Sequence, residues 1–239
     1  PIFRESDMIT NYLKMKVIHI LSTLSFISLV NFASAQQTQP SGDYHLGFRV
    51  APRISTLGAG LEVAKGFTPN FGLRAGFNYF SYGYDATESD VSYELDLELK
   101  SFGLFADWHP FKGAFRLSGG LLINGNGLSG SAKPTTLVEI GGTDYDLTSI
   151  NLDISYNTLA PYLGLGWDTT FGDRDNWGFA FDLGLIYSGS AEAALTATGL
   201  GLSDATFEEN RIKEQNELQS DLDSLKWWPV ISAGLVYQF

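Results

Sequence analysis

Hydrophobic residues alternate with small or polar ones along most of the chain, with a period of two. The alternation is plainest at the end, where Trp227 to Phe239 reads WWPVISAGLVYQF. Ile231, Ala233, Leu235, Tyr237 and Phe239 fall on one face, and Val230, Ser232, Gly234, Val236 and Gln238 on the other. Side chains of a strand point alternately to its two faces, so this segment is a strand with an apolar face that runs to the last residue. The last residues of a soluble domain usually fray. An apolar strand stopping on an aromatic residue fits the strand that closes an outer-membrane barrel.

Seven more segments alternate in the same way: 44–54, 57–66, 71–82, 99–109, 114–124, 158–169 and 176–188. Each is close to the ~9–11 residues with which a tilted strand crosses a bilayer. In the first, Tyr44, Leu46, Phe48 and Val50 oppose His45, Gly47, Arg49, Ala51 and Arg53. In the third, Phe71, Leu73, Ala75, Phe77 and Tyr79 oppose Gly72, Arg74, Gly76 and Asn78. The fourth changes phase. Tyr93, Leu95, Leu97 and Leu99 are odd, whereas Phe102, Leu104, Ala106 and Trp108 are even. Either a bulge near Lys100 or a hairpin that continues above the membrane accounts for the change.

Connections alternate between short and long. Phe71, Trp108, Phe115, Trp167, Trp177 and Phe239 all lie beside the short-turn side, as an interfacial girdle does. A soluble sandwich would carry Lys, Thr and Glu on its second face. Here that face is rich in glycine, which leaves room for long neighbours inside a narrow barrel. The pattern predicts an all-β fold, an eight-stranded antiparallel transmembrane barrel with short periplasmic turns and long acidic outer loops.

Residues 1–35 read as an N-terminal extension and cleaved signal peptide, and 36–239 as the barrel. Met8 or Met15 is the expected start. Lys14 and Lys16 precede the apolar run Val17–Val30, and Ala33-Ser34-Ala35 is an A-x-A site before Gln36. The expected location is therefore the bacterial outer membrane. The chain has no cysteine, so no disulfide staples it.

The formal net charge of -12 argues against nucleic acid as a partner. Its placement says more. Of the 27 acidic residues, 18 fall in the three long connections. The first holds Asp85, Glu88, Asp90, Glu94, Asp96 and Glu98, an expected acidic outer mouth that would draw cations. In the third, Leu218, Leu222 and Leu225 have helical spacing, and Thr206 with Glu209 fits a capping box, so a short solvated helix is expected there.

Eight charges fall on the inward face: Arg49, Arg53, Arg74 and Arg116 against Glu62, Asp107, Asp168 and Asp182. A two-residue turn at Ser55-Thr56 would set Arg49 opposite Glu62. A next turn at 65–71 would set Glu62 opposite Arg74, and Asp107 would then face Arg116. A carboxylate between two guanidiniums suits an interior layer. Eight strands leave an interior just wide enough for side chains, so the layer reads as a salt-bridged core before it reads as a selective constriction.

Catalysis has little support. His45 and His109, the histidines of the expected barrel, fall on different strands at the periplasmic rim, with no partner constellation. Asp173-Arg174-Asp175 mimics the start of a calcium loop, but Gly184 stands where a bidentate Glu is required. No motif calls for a metal or cofactor.

Ala160-Pro161-Tyr162-Leu163-Gly164-Leu165-Gly166, Asn176-Trp177-Gly178 and Trp227-Trp228-Pro229-Val230 occur in an order that resembles the CarO-type proteins. These are eight-stranded outer-membrane barrels linked to ornithine uptake and carbapenem susceptibility. Tyr93-Glu94-Leu95-Asp96 and His109-Pro110 fit as well, with His109 where Arg is expected. The likeness covers the second half of the expected barrel in residues and the first half in pattern. It implies passage or binding of small cationic or zwitterionic solutes such as basic amino acids, with no catalytic motif. The alternative is a non-conducting barrel that acts through its acidic loops. Expected partners are outer-membrane lipid, lipopolysaccharide and, through the strand ending at Phe239, the barrel-assembly machinery.

Overall fold

The computed structural model describes residues 44–88, 91–135, 137–223 and 226–239. The expected signal peptide, its cleavage site, Asp90 and Leu225 lie outside these residues. Thirteen strands are described: β1 (Phe48–Ser55), β2 (Gly58–Thr68), β3 (Phe71–Glu88), β4 (Val91–Trp108), β5 (Phe115–Asn124), β6 (Gly127–Lys133), β7 (Val138–Ile140), β8 (Thr143–Tyr145), β9 (Ser149–Ser155), β10 (Leu159–Asp168), β11 (Trp177–Tyr187), β12 (Glu192–Thr198) and β13 (Trp227–Gln238). One helix, α1 (Phe207–Leu222), precedes β13.

Eight of these strands close a barrel. Each of β1, β2, β3, β4, β5, β10, β11 and β13 pairs antiparallel with two others, and β1–β13 completes the ring. All eight expected strands are present, with bounds shifted by a few residues at most, except where β3 and β4 run on. The outward face is what lipid requires. Leu61, Leu73, Phe77, Leu104, Leu121 and Leu163 lie exposed in the middle of the wall. Tyr237 meets both Trp177 and Phe239 edge-on at the short-turn end, and Tyr187 meets Trp227 at the other. These are the two aromatic girdles of a transmembrane barrel.

β3 and β4 form a hairpin that continues past the barrel rim. Their register is unbroken from Phe71↔Trp108 to Glu88↔Val91, so no bulge falls at Lys100. The phase change has a different cause. Odd residues of β4 face inward throughout its length. Below Lys100 the inward face carries Ser101, Gly103, Phe105 and Asp107 and looks into the lumen, and the outward face meets lipid. Above it the inward face becomes an apolar core and the outward face meets water. The solvent changes while the strand continues.

At the same level β4 exchanges neighbours. Its lower half pairs with β5 and its upper half with β6. The corner between them wraps Lys100, whose N–H donates to Asn126 Oδ1 (2.9 Å) and whose carbonyl accepts from Gly125 N–H (2.8 Å). From β6 the sheet passes to β9 and then to β12. Segments expected as long outer loops are thus in large part a sheet that stands on the barrel. Core rows cross it, such as Leu97, Leu128, Ile154 and Ala193, then Leu95, Gly130, Leu152 and Leu195.

The helix covers this core rather than standing in solvent, with Phe207, Leu218 and Leu222 buried. Thr206 is its N-cap residue, but the expected capping box is absent. The Thr206 hydroxyl donates to Asp204 Oδ1 (2.7 Å) instead of accepting from the first turn.

Candidate functional site

All eight barrel strands contribute to one layer across the lumen. β1 supplies Arg49 and Arg53, β2 Glu62, β3 Arg74, β4 Asp107, β5 Arg116, β10 Asp168 and β11 Asp182; β13 adds Ser232. The eight expected charges are brought together and all are buried.

The partners differ from those expected. The β1–β2 turn is Thr56-Leu57, so Ser55 pairs with Gly58 and Ala51, not Arg49, stands opposite Glu62. Glu62 does sit between two guanidiniums, those of Arg53 (2.8 Å) and Arg74 (2.7 Å). Arg49 instead pairs with Asp168. Asp107 lies opposite Ser118, not Arg116. It accepts from Ser118 Oγ (2.6 Å) and forms an ion pair with Arg74 Nε (2.6 Å) outside good hydrogen-bonding geometry. Asp182 joins the two sides of the lumen, contacting Arg53, Arg116 (2.9 Å) and Arg74 (3.5 Å). Arg116 reaches Asp168 as well (3.4 Å). Four positive and four negative groups form a connected, neutral layer. Its planar guanidiniums each serve more than one acceptor, or an acceptor and a ring, which lysine could not do as well.

Two aromatic rings lie over the layer on the outer side. Phe105 and Tyr162 meet edge to face at 5.0 Å, and the Arg74 guanidinium sits 5.0 Å from the centre of Phe105. Glycines make this possible. A Cβ at Gly184 would lie 2.4 Å from the Tyr162 ring, and one at Gly103 would lie 2.4 Å from Phe105. Above the rings, Leu57, Leu122, Trp228 and Val230 belong to the same apolar cluster as the core of the outer sheet. A cavity of ≈ 40 Å³ remains between them, lined by Arg53, Glu62, Arg74, Asn78, Tyr162 and Asp182 among others. That is room for a few waters, not for an amino acid.

The short-turn end is closed by a side chain from the β10–β11 turn. Phe171 folds inward, stacks on His109 with ring centres 3.4 Å apart, and lies 4.9 Å from the Arg49 guanidinium. His109 Nδ1–H donates to the Gly113 carbonyl (2.7 Å), and Nε2 is buried with no hydrogen-bond partner. Burial pushes this imidazole down to about 4, against the opposing pull of the Gly113 carbonyl. His45 lies apart from it, with Nδ1 2.6 Å from Gln238 Nε2.

Among the described residues, the acidic positions of the first long connection share one face of the hairpin rather than a ring around an opening. Asp85, Glu94, Asp96 and Glu98 are exposed on the face of the hairpin that points away from the core. Glu88 ends β3, and Asp90 is outside the described residues. Glu94 accepts from Lys133 (3.0 Å) and Ser131 (3.3 Å), which hold its carboxyl below the usual range.

The sequence matches no protein-family model and no curated protein. Solved structures do match. CarO of Acinetobacter baumannii superposes with a TM-score of 0.53 at 22% identity, covering 81% of this chain and 98% of that one. CarO2 of the same organism gives 0.53 at 22% identity, over 81% and 99%. The fold is that of a CarO-type barrel. At this identity the likeness speaks for architecture, and function has to be argued from the lumen and the outer sheet.

Proposed function

We propose that the chain is an outer-membrane barrel whose lumen is closed at rest and whose purpose is to hold a folded β-sheet domain at the cell surface. The neutral layer of eight buried charges carries this reading. Any solute crossing it would have to separate ion pairs that lie in a low-dielectric wall, and breaking such a pair costs roughly 3–5 kcal/mol. The apolar cluster above and the Phe171–His109 stack below add two more barriers. The exposed aromatic and leucine belt supports a bilayer as the surroundings, with the short turns on the periplasmic side. Planar-bilayer recording on refolded protein tests the proposal. No steady conductance is expected from the wild type, and a persistent open level would overturn it.

A second reading is narrow, gated passage or binding of small cationic or zwitterionic solutes, basic amino acids such as ornithine among them. It is favoured by the cavity at the charge layer, where Arg53 and Arg74 face Glu62 and Asp182. A zwitterion offers a carboxylate to the first pair and an ammonium to the second. This reading requires the rings of Phe105 and Tyr162 to move. Ornithine flux into liposomes that carry the protein, with glutamate as control, separates it from the first.

A further inference from the structure

Strand β12 ends the outer sheet. β9 pairs with one side of it, and among the described residues the other side meets α1 instead of a strand. Ala191, Ala193 and Leu195 turn backbone groups to that side. The Ala193 N–H donates to Gln219 and the Leu195 N–H to Gln215, while the carbonyls of Ala191 and Leu195 accept from Gln219 and Arg211. Three helix side chains, spaced four apart, thus do what a neighbouring strand would do. The apolar part of the seal is narrow, with Phe207, Leu218 and Leu222 the buried residues of the helix. A bare sheet edge is a template for another strand, and a covering helix is one way of closing it.

We propose that α1 is an autoinhibitory cap, and that β12 released from it pairs antiparallel with β12 of a second copy of this chain. The strand is self-complementary. Ala193-Ala194-Leu195-Thr196-Ala197 reads nearly alike in both directions about Leu195. A two-fold contact centred there sets Ala193 opposite Ala197, Ala194 opposite Thr196 and Glu192 opposite Thr198, so small faces small and no acid meets an acid. The backbone agrees with this register. The N–H groups of Ala193 and Leu195 point to the cap, and by alternation so does that of Ala197. Leu195 therefore exchanges bonds with its own copy, and Ala193 with Ala197. Ala193 and Leu195 are buried on the core side and Ala197 is half-buried there, so pairing joins the two apolar cores along one seam. The direction of β12 fixes how the copies meet. β4 descends into the barrel wall, and β12, three antiparallel steps away, rises from it. An antiparallel copy must descend, so its barrel points the opposite way. Copies in one membrane present β12 in the same direction and cannot pair in this manner. The contact therefore joins chains on two facing membranes; this last step rests on the proposed function, which sets the outer sheet at the cell surface.

The test uses the full refolded chain with Arg211, Gln215 and Gln219 all changed to alanine, and heat-modifiable mobility to check that the barrel is folded. This uncapped variant keeps Phe207, Leu218 and Leu222. In non-ionic micelles the protein mass per complex should rise about twofold by sedimentation, while the wild type stays monomeric. The chain has no cysteine, so introduced thiols report the register cleanly. Uncapped chains carrying Ala194→Cys, mixed with others carrying Thr196→Cys, should form a disulfide between the two. Each alone should cross-link at least about tenfold less, because its thiols are not directly opposite. Ala197→Pro removes an N–H that faces the partner and none that faces β9, so it should return the uncapped variant to a monomer. Inserted into preformed lipid vesicles, the uncapped variant should cluster them and the wild type should not. A monomeric uncapped variant, a wild type that associates as readily, equal cross-linking in the single-site samples, or association that survives Ala197→Pro would overturn the capped pairing. Micelle dimers that leave the vesicles dispersed would overturn the facing-membrane arrangement. None of these results bears on conductance, so the closed-lumen reading stands or falls separately.

Discussion

Leu97 and Leu104 lie on the same strand and point to opposite faces, yet each occupies the apolar face of its own stretch. Leu97 is 5% exposed, inside the core of the outer sheet; Leu104 is 57% exposed, on the barrel wall. One strand thus obeys two opposite rules. In water the apolar side turns inward, and in lipid it turns outward. The crossover at Lys100 marks the level at which the solvent changes.

The same exchange of charge should therefore have different effects at these two positions. Leu104→Arg places a cation near mid-wall and should cost up to about 2–4 kcal/mol of barrel stability. Leu97→Arg should leave the barrel folded and loosen the outer sheet. Heat-modifiable gel mobility reports the first, and limited proteolysis between β6 and β12 reports the second. If both variants lost the barrel equally, the outer sheet would not be a separate layer.

In the lumen the order of effects is predictable from the partners. Glu62→Ala leaves Arg53 with Asp182 and Arg74 with Asp107. Its cost should lie toward the lower end of the roughly 3–5 kcal/mol for a broken buried pair. Asp182→Ala removes the group that three guanidiniums share, Arg53, Arg74 and Arg116. It should destabilise more, and the unfolding temperature in detergent should fall further. The reverse order would mean that Asp182 faces water that compensates it.

His109 makes the periplasmic closure sensitive to acid. Its folded value of about 4 lies below the ordinary 6.5. The unfolded chain therefore takes up this proton first on acidification. The stability tied to the neutral ring is complete above pH 6.5, declines as pH falls toward 4, and levels off below that. The charged ring would bring a second N–H to a position where Nε2 has no hydrogen-bond partner, near Arg49 and Arg116, with Asp107 opposing them. His109→Gln should flatten the part of the melting-temperature profile between pH 6.5 and 4. A profile unchanged by the substitution would show that surface carboxylates account for the whole acid response.

The barrel was legible because its alternation is long and its contrast strong, with Phe, Leu and Trp set against Gly, Arg and Asp. The eight lumen charges followed from strand parity alone. Their pairing did not, because it depends on the turn. Moving the β1–β2 turn from Ser55-Thr56 to Thr56-Leu57 shifts the register by two, and Arg53 takes the place of Arg49 beside Glu62. The outer sheet was harder to read. Its added strands have only seven residues each, and their inward positions include Gly130, Ala132, Ala193 and Ala197. Small residues between acids resemble a loop. Ile150, Leu152 and Ile154, alternating with Asn151 and Asp153, were the available signal. Placement of the acidic residues could not be read from their count, since the hairpin's outward face decides it.

The edge cap of β12 gives the last prediction. Arg211 donates to the Leu195 carbonyl (2.7 Å) and to Gln215 Oε1 (2.9 Å), which in turn accepts from Leu195 N–H (3.3 Å). Gln219 accepts from Ala193 N–H (3.1 Å) and donates to the Ala191 carbonyl. Each such bond contributes about 0.5–1.5 kcal/mol net, so the helix is held to the edge by a few kcal/mol beyond its apolar contacts. Replacing Gln215 and Gln219 with alanine keeps helix propensity and keeps Phe207, Leu218 and Leu222 for packing. It removes the substitute for a neighbouring strand. The double variant should expose the β12 edge and associate with itself in detergent, while the barrel keeps its heat-modifiable mobility. Sedimentation of the variant against the wild type measures this. A monomeric variant whose helix resists protease as the wild type does would mean that apolar packing alone seals the edge.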